Sequence, residues 1–124
     1  MIDFKNATFA KLKKSDGKNL NGNFLKLLIP GEKIVGIYSS MRDYVVFTNK
    51  RFISVNVQGL TGKKQDYTSI PYKNITTFSI ETAGTFDIDS ELELYLSGVG
   101  KVKFEFSGNS DIIEIGKNIA YYVL

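Results

Sequence analysis

The chain has no cysteine, no histidine and no tryptophan, and only two prolines. Without cysteine there are no disulfides, no thiolate metal sites and no cysteine nucleophile. Without histidine the commonest general base, the commonest zinc ligand and the usual switch near neutral pH are all missing. No apolar run approaches the roughly 20 residues that span a bilayer. The start, Met1 to Asn6, lacks the apolar region of a signal peptide. A reducing, cytoplasmic setting is therefore the expectation, in which the Asn-x-Thr triplets at Asn6 and Asn74 stay unglycosylated.

Charge of one sign is also scarce overall, with a net of +3, too little to argue for nucleic acid. Its distribution is uneven. Residues 1–72 carry 12 Lys/Arg against 5 Asp/Glu, and residues 73–124 carry 4 against 8, so the halves are +7 and −4. The plainer expectation is that the halves interleave in space and cancel; the alternative is a functional dipole. A chain of 124 residues is one domain's worth, enough to bury about two-thirds of its unfolded surface.

Period-two alternation dominates from Glu32 onward. It predicts strands over 34–41, 44–48, 52–57, 64–70 and 75–82, then a hairpin of Leu92, Leu94 and Leu96 against Val102, Phe104 and Phe106. Ile53, Val55 and Val57 alternate with Phe52, Ser54 and Asn56, implying one buried face. Glu91 and Glu93 oppose Lys101 and Lys103 on the hairpin's outer face, which favours that register. Pro71 restricts its strand to an edge or a terminus. Ile112, Ile115, Ile119, Tyr122 and Val123 form one helical stripe, with Asp111 and Glu114 at capping-box spacing.

Residues 1–29 read differently. Phe4, Ala7, Thr8, Lys11 and Leu12 have approximate helical spacing, and Asn19 to Ile29 reads as a second helix stopped by Pro30-Gly31. The expectation is an N-terminal helical extension over 1–29 followed by a seven-stranded domain over 30–124, plugged by the C-terminal helix.

Leu28-Ile29-Pro30-Gly31-Glu32 and Arg42-Asp43-Tyr44-Val45-Val46-Phe47-Thr48-Asn49-Lys50-Arg51 resemble segments of the bacterial pleckstrin-homology (PH) domain family. So do Gly59 to Lys64, Ser69 to Lys73 and Ile80 to Gly84. The resemblance implies a mainly β fold: a PH-like barrel of seven antiparallel strands in two near-orthogonal sheets with a C-terminal helix. It also implies a self-assembling interaction module, because the family's members look like builders of cyclic homo-oligomers. Eukaryotic PH domains that bind phosphoinositides cluster Lys and Arg between their first two strands. Here Ser39 to Asp43 offers one Arg beside an Asp, so that pattern is not present.

Other motifs fare poorly. Asp87-x-Asp89-x-Glu91 opens like a calcium loop, but Leu92 and Gly98 stand where an EF-hand needs Gly and Glu. Gly59-Leu60-Thr61-Gly62-Lys63 is too short for a Walker loop and reads as a hairpin turn. No catalytic residue, metal or cofactor is expected, and no triad can be assembled. Lys50, Arg51, Lys63, Lys64 and Lys73 form a candidate patch for an acidic partner or anionic lipid, if neighbouring loops meet; otherwise they are edge charges that deter aggregation. Phe4, Leu20, Phe24 and Leu27 are candidate contacts between copies in a ring, or they pack on their own chain. The expected partners are other copies, an unidentified protein and a weakly bound anionic membrane, with no nucleic acid.

Overall fold

In the structure, a computed structural model, all residues except Asn19, Asn21 and Asn109 are described. The strands are β1 (Ala7–Lys14), β2 (Ile34–Ser39), β3 (Tyr44–Thr48), β4 (Arg51–Gln58), β5 (Lys64–Pro71), β6 (Ile75–Glu81), β7 (Ser90–Leu96) and β8 (Gly100–Phe106). A one-turn helix α1 (Gly22–Leu25) precedes β2, a 3-10 turn (Tyr72–Asn74) joins β5 to β6, and helix α2 (Ile112–Val123) ends the chain. The strands form one eight-stranded sheet in the order β5-β4-β3-β2-β1-β8-β7-β6. This corrects two expectations: the sheet is single rather than two near-orthogonal sheets, and it is not a closed barrel.

The N-terminal helical extension is also absent. Residues 7–14 form the strand that joins the two meanders. Its first part pairs in parallel with β8, from Ala7 opposite Val102 to Leu12 opposite Phe106. Its end pairs antiparallel with β2, through Lys13–Ser39 and Lys14–Tyr38. A bulge between Phe9 and Leu12 separates the two pairings, and Lys11 there adopts φ 55°. The second predicted helix shrinks to the single turn of α1, and its start at Asn19 lies outside the described residues.

The larger core lies between the sheet and α2. It gathers Phe9, Leu12, Phe47, Phe52, Leu92, Leu94, Phe104 and Phe106 with Ile112, Ile115 and Ile119 of the helix. The expected stripe of α2 therefore faces the sheet, and the Asp111 carboxylate accepts from Glu114 N–H as a cap. A second core forms on the opposite face, where Phe24 is buried against Val46, Ile53 and Val55, with Leu20 and Leu28 beside it. Leu20, Phe24 and Leu28 thus cover the outer side of β3 and β4. The expected single buried face of β4 is wrong for this reason: Phe52, Ile53, Ser54 and Val55 are all buried. The N-terminal residues close one end, where Lys101 N–H donates to Phe4 O. Gly100 is required there, because a Cβ would come within 2.5 Å of that carbonyl oxygen, and its φ is 144°.

Candidate interaction surfaces

The strand order keeps the sequence halves apart. The strands of residues 34–71 occupy one side of the sheet and those of 75–106 the other, with β1 between them. Within the sheet the strands of the two halves are grouped, whereas α2, from the acidic half, stacks Tyr122 on Tyr72 and brings Asp111 and Glu114 to a cleft shared with Lys13 and Lys14. Residues 34–71, on the β5 side, carry five Lys/Arg against two Asp/Glu, and residues 75–106, on the β6 side, carry two against six; the other lysines of the first half precede β2, with Lys11, Lys13 and Lys14 on the central β1.

Arg51, one of the five candidate patch residues, is held in a clamp. Its Nε donates to Glu32 Oε2 at 2.9 Å and its Nη2 to Glu32 Oε1 at 2.9 Å. The same guanidinium donates to Leu27 O and Ser69 Oγ. Thr48 Oγ1 and Ile29 N–H complete the shell around the carboxylate, and the Glu32 side chain is 0% exposed. Hydrogen bonds from Arg51 are the main reason that Glu32 titrates at about 2, and burial works against them. Asn49 ties the same turn down, accepting from Lys33 N–H and donating to Gly31 O. The two motif segments around Pro30-Gly31-Glu32 and Thr48 to Arg51 are therefore one hydrogen-bonded unit.

The four lysines do not gather. Lys50 lies in the β3–β4 turn and Lys73 in the 3-10 turn, linked through Tyr72 N–H to Lys50 O. Lys63 and Lys64 lie beyond the other end of the β4–β5 hairpin, where Gln58 pairs with Lys64. The length of β4, eight residues, separates the two groups by roughly 24 Å at the rise of a strand.

A different grouping sits at the Lys63 end. Arg42, in the β2–β3 loop, donates through Nη2 to Gly59 O and so ties that loop to the β4–β5 loop. Gly59 and Gly62, at φ 78° and 68°, shape the second loop as the predicted turn. At the tips stand Met41, 102% exposed, and Leu60, 106% exposed. Sequence reasoning missed both. The available signal was a lone large apolar residue inside each polar turn, next to Arg42 and ahead of Lys63 and Lys64.

Of the candidate contacts between copies, Phe24 is fully buried within its own chain. Phe4 packs at the margin of the larger core and Leu20 at the margin of the second. Leu27 remains 38% exposed. On the β7–β8 hairpin the ion pairs run diagonally, Lys101 to Glu93 at 3.5 Å and Lys103 to Glu91 at 3.8 Å, while Glu91 stands directly opposite Glu105. Asp87 spends a carboxylate oxygen on Asp89 N–H. Among the described residues no three acidic side chains converge on a metal-sized site. None of their helices is long and apolar enough to cross a membrane.

A single eight-stranded sheet covered on one face by a C-terminal helix defines the class: a PH-like domain. The chain belongs to the bacterial PH domain family, whose profile matches residues 3–123. It is 47% identical over 96 residues to "Uncharacterized protein YjqA" of Bacillus subtilis, covering 76% of this chain and 77% of that one. With YozO of the same organism it shares 35% over 107 residues, covering 86% and 89%. Among solved structures it is similar to a DUF1696 family protein with a pleckstrin-homology domain from Shewanella loihica, with a TM-score of 0.80 and 40% identity. That likeness covers 93% of this chain and 99% of the other. A pleckstrin homology domain from Shewanella amazonensis gives a TM-score of 0.67 at 43% identity over 89% and 90% of the two chains.

Proposed function

We propose that this protein is a non-catalytic interaction module that assembles with copies of itself into a closed ring and presents that assembly to a protein partner. The observation that carries this is the segregation of charge along the sheet. A sheet whose β2–β5 side (residues 34–71) nets +3 and whose β6–β8 side (residues 75–106) nets −4 suits head-to-tail contact. Such contacts join two different faces and close into a ring when the rotation between copies permits. Light scattering behind a sizing column tests it. The expected result is a multimer at low salt that dissociates as salt rises, since exposed charges are screened within about 8 Å at physiological ionic strength. A strict monomer at high protein concentration overturns the reading, and a multimer indifferent to salt overturns its charge basis.

A second reading is favoured by the two fully exposed loop tips: a peripheral membrane adaptor without phosphoinositide specificity. Met41 and Leu60 would enter the lipid interface while Arg42, Lys63 and Lys64 meet anionic headgroups, each cation contributing about 1 kcal/mol. Co-sedimentation with phosphatidylcholine vesicles, with and without phosphatidylserine, distinguishes it. Binding is expected only to the anionic vesicles, weakened by salt and lost in the Met41→Ser/Leu60→Ser double variant. No binding to either vesicle removes this reading. Tight, salt-resistant binding to one phosphoinositide contradicts it.

A further inference from the structure

The first turn of α2 and the end of β1 face each other with their charges unspent. Ser107 N–H donates to Leu12 O and Ser110 N–H to Ser107 O, so the link from β8 folds back and starts α2 beside β1. Lys13, Lys14, Asp111 and Glu114 then line one cleft of about 690 Å³. Among the described residues none of the four has an opposite charge within 4.0 Å. Each sign is held on its own wall. Lys14 is fixed by its pairing with Tyr38 on β2, and the two carboxylates are fixed by the helix. Asp111 spends one carboxylate oxygen on Glu114 N–H and keeps the other.

Lys14, Tyr38 and Glu114 also border a second, smaller recess of about 90 Å³ between α2 and β2. Its lining is largely apolar, with Phe47, Tyr72, Ile119 and Tyr122. Gly36 forms part of its wall, and a Cβ there would lie 4.0 Å from the Tyr38 hydroxyl, which places that hydroxyl where cleft and recess join. Burial, and then the Asp111 and Glu114 carboxylates, raise the pKa of this phenol, so it stays a protonated donor at neutral pH. Two cations, two anions, a hydroxyl and an apolar recess therefore adjoin in one groove, the mixture that small-ligand sites use to fix orientation.

We propose that this groove binds a free α-amino acid with a branched aliphatic side chain. The ligand's carboxylate meets Lys13 and Lys14, its ammonium meets Asp111 and Glu114, and its side chain enters the recess. Only a ligand with both charges satisfies both walls, since a lone anion would face two carboxylates and a lone cation two lysines. The recess sets the side chain. It is smaller than the cavity of about 150 Å³ that admits a benzene ring, so it suits valine, leucine or isoleucine better than an aromatic residue. Neither the assembly reading nor the membrane reading is needed for this.

The test is titration of the isotope-labelled, unaltered protein with L-leucine, followed by the NMR shifts of its backbone amides. Saturable shifts are expected at Lys14, Tyr38, Ser110 and Glu114, in the millimolar range of a small ligand in an open cleft. Leucinamide lacks the carboxylate and N-acetyl-leucine lacks the ammonium, as the two ends of a peptide do. Each should bind about tenfold more weakly, the loss of one charge-assisted contact. Glycine and phenylalanine should also bind more weakly than leucine. The substitutions Lys13→Gln/Lys14→Gln and Glu114→Gln replace exposed side chains. The first should close the gap between leucine and leucinamide, and the second should narrow the gap between leucine and N-acetyl-leucine. No saturable shift with leucine, or shifts confined to other surfaces, overturns the inference. Leucinamide or N-acetyl-leucine binding as tightly as leucine overturns it too, because the groove would then not read both charges. Phenylalanine binding as tightly as leucine overturns the role given to the recess.

Discussion

Replacing Ile119 by aspartate is expected to leave the protein unfolded or aggregated at room temperature. Ile119 is 2% exposed and lies in the larger core, where α2 meets the sheet. Removing its side-chain volume alone costs about 2–5 kcal/mol. The new carboxylate must then be buried without a partner or protonated at a cost in free energy. Together these approach the roughly 5–15 kcal/mol that stabilises a whole domain. Urea denaturation followed by circular dichroism is the measurement. An Ile119→Asp variant with an unaltered midpoint would mean that α2 does not plug the sheet. Ile119→Val, which keeps the shape and loses one methyl, should cost only about 0.5–1.5 kcal/mol.

The second large effect belongs to the Glu32–Arg51 clamp. Arg51→Met should destabilise by about 3–5 kcal/mol, because it leaves a buried carboxylate with no counter-ion. Glu32→Gln removes the charge as well as the pairing and should cost less. The pH dependence follows from the same geometry. The Glu32 carboxyl is lowered from 4.5 to about 2 by folding, chiefly by the Arg51 hydrogen bonds. Its contribution is therefore complete above pH 4.5 and is lost as pH falls toward 2. The difference between the two values corresponds to about 3 kcal/mol. Urea midpoints between pH 6 and 2.5 should fall steeply in the unaltered protein and less so in Glu32→Gln. Parallel pH profiles for the two proteins would show that the clamp does not set acid stability.

The strands from Ile34 to Phe106 were legible because their backbone pleat was expressed as alternation, and α2 because its stripe was clean. Strand β1 was not, and the reason is the bulge. One extra residue at Lys11 shifts the phase, so the buried side chains are Phe9 and Leu12, three positions apart. That spacing reads as one turn of helix. With β1 read as helix, the strand that joins the two meanders into one sheet was missing, so nothing in the pattern corrected the two sheets that the family resemblance implied. The second core was hidden for a related reason. The alternation of Ile53 and Val55 with polar neighbours marks only one face of β4 as buried, whereas Phe24 and Leu28 cover one side and the main core the other.

Candidate surfaces were harder to read, because they depend on which ends of strands adjoin. Arg51 and Lys64 are near in sequence yet lie at opposite ends of one hairpin. Arg42 and Gly59 are 17 residues apart and are hydrogen-bonded. The Glu32–Arg51 pair was partly in view, since both residues belonged to segments already singled out. Nothing in either segment alone showed that they touch.

The parallel pairing of β1 with β8 also sets an order of events for a chain made from its N-terminus. The meander from β2 to β5 can close as soon as its turns have formed, since each strand pairs with its neighbour in sequence. Strand β1 cannot find β8 until Val102 and the residues after it exist. On a ribosome adding about 5–20 residues per second, it waits several seconds with one side unpaired. During that interval its protection is its own composition: Lys11, Lys13 and Lys14 stand along an otherwise adhesive strand. Charges so placed favour water over a wrong partner for as long as one side of the strand stays open.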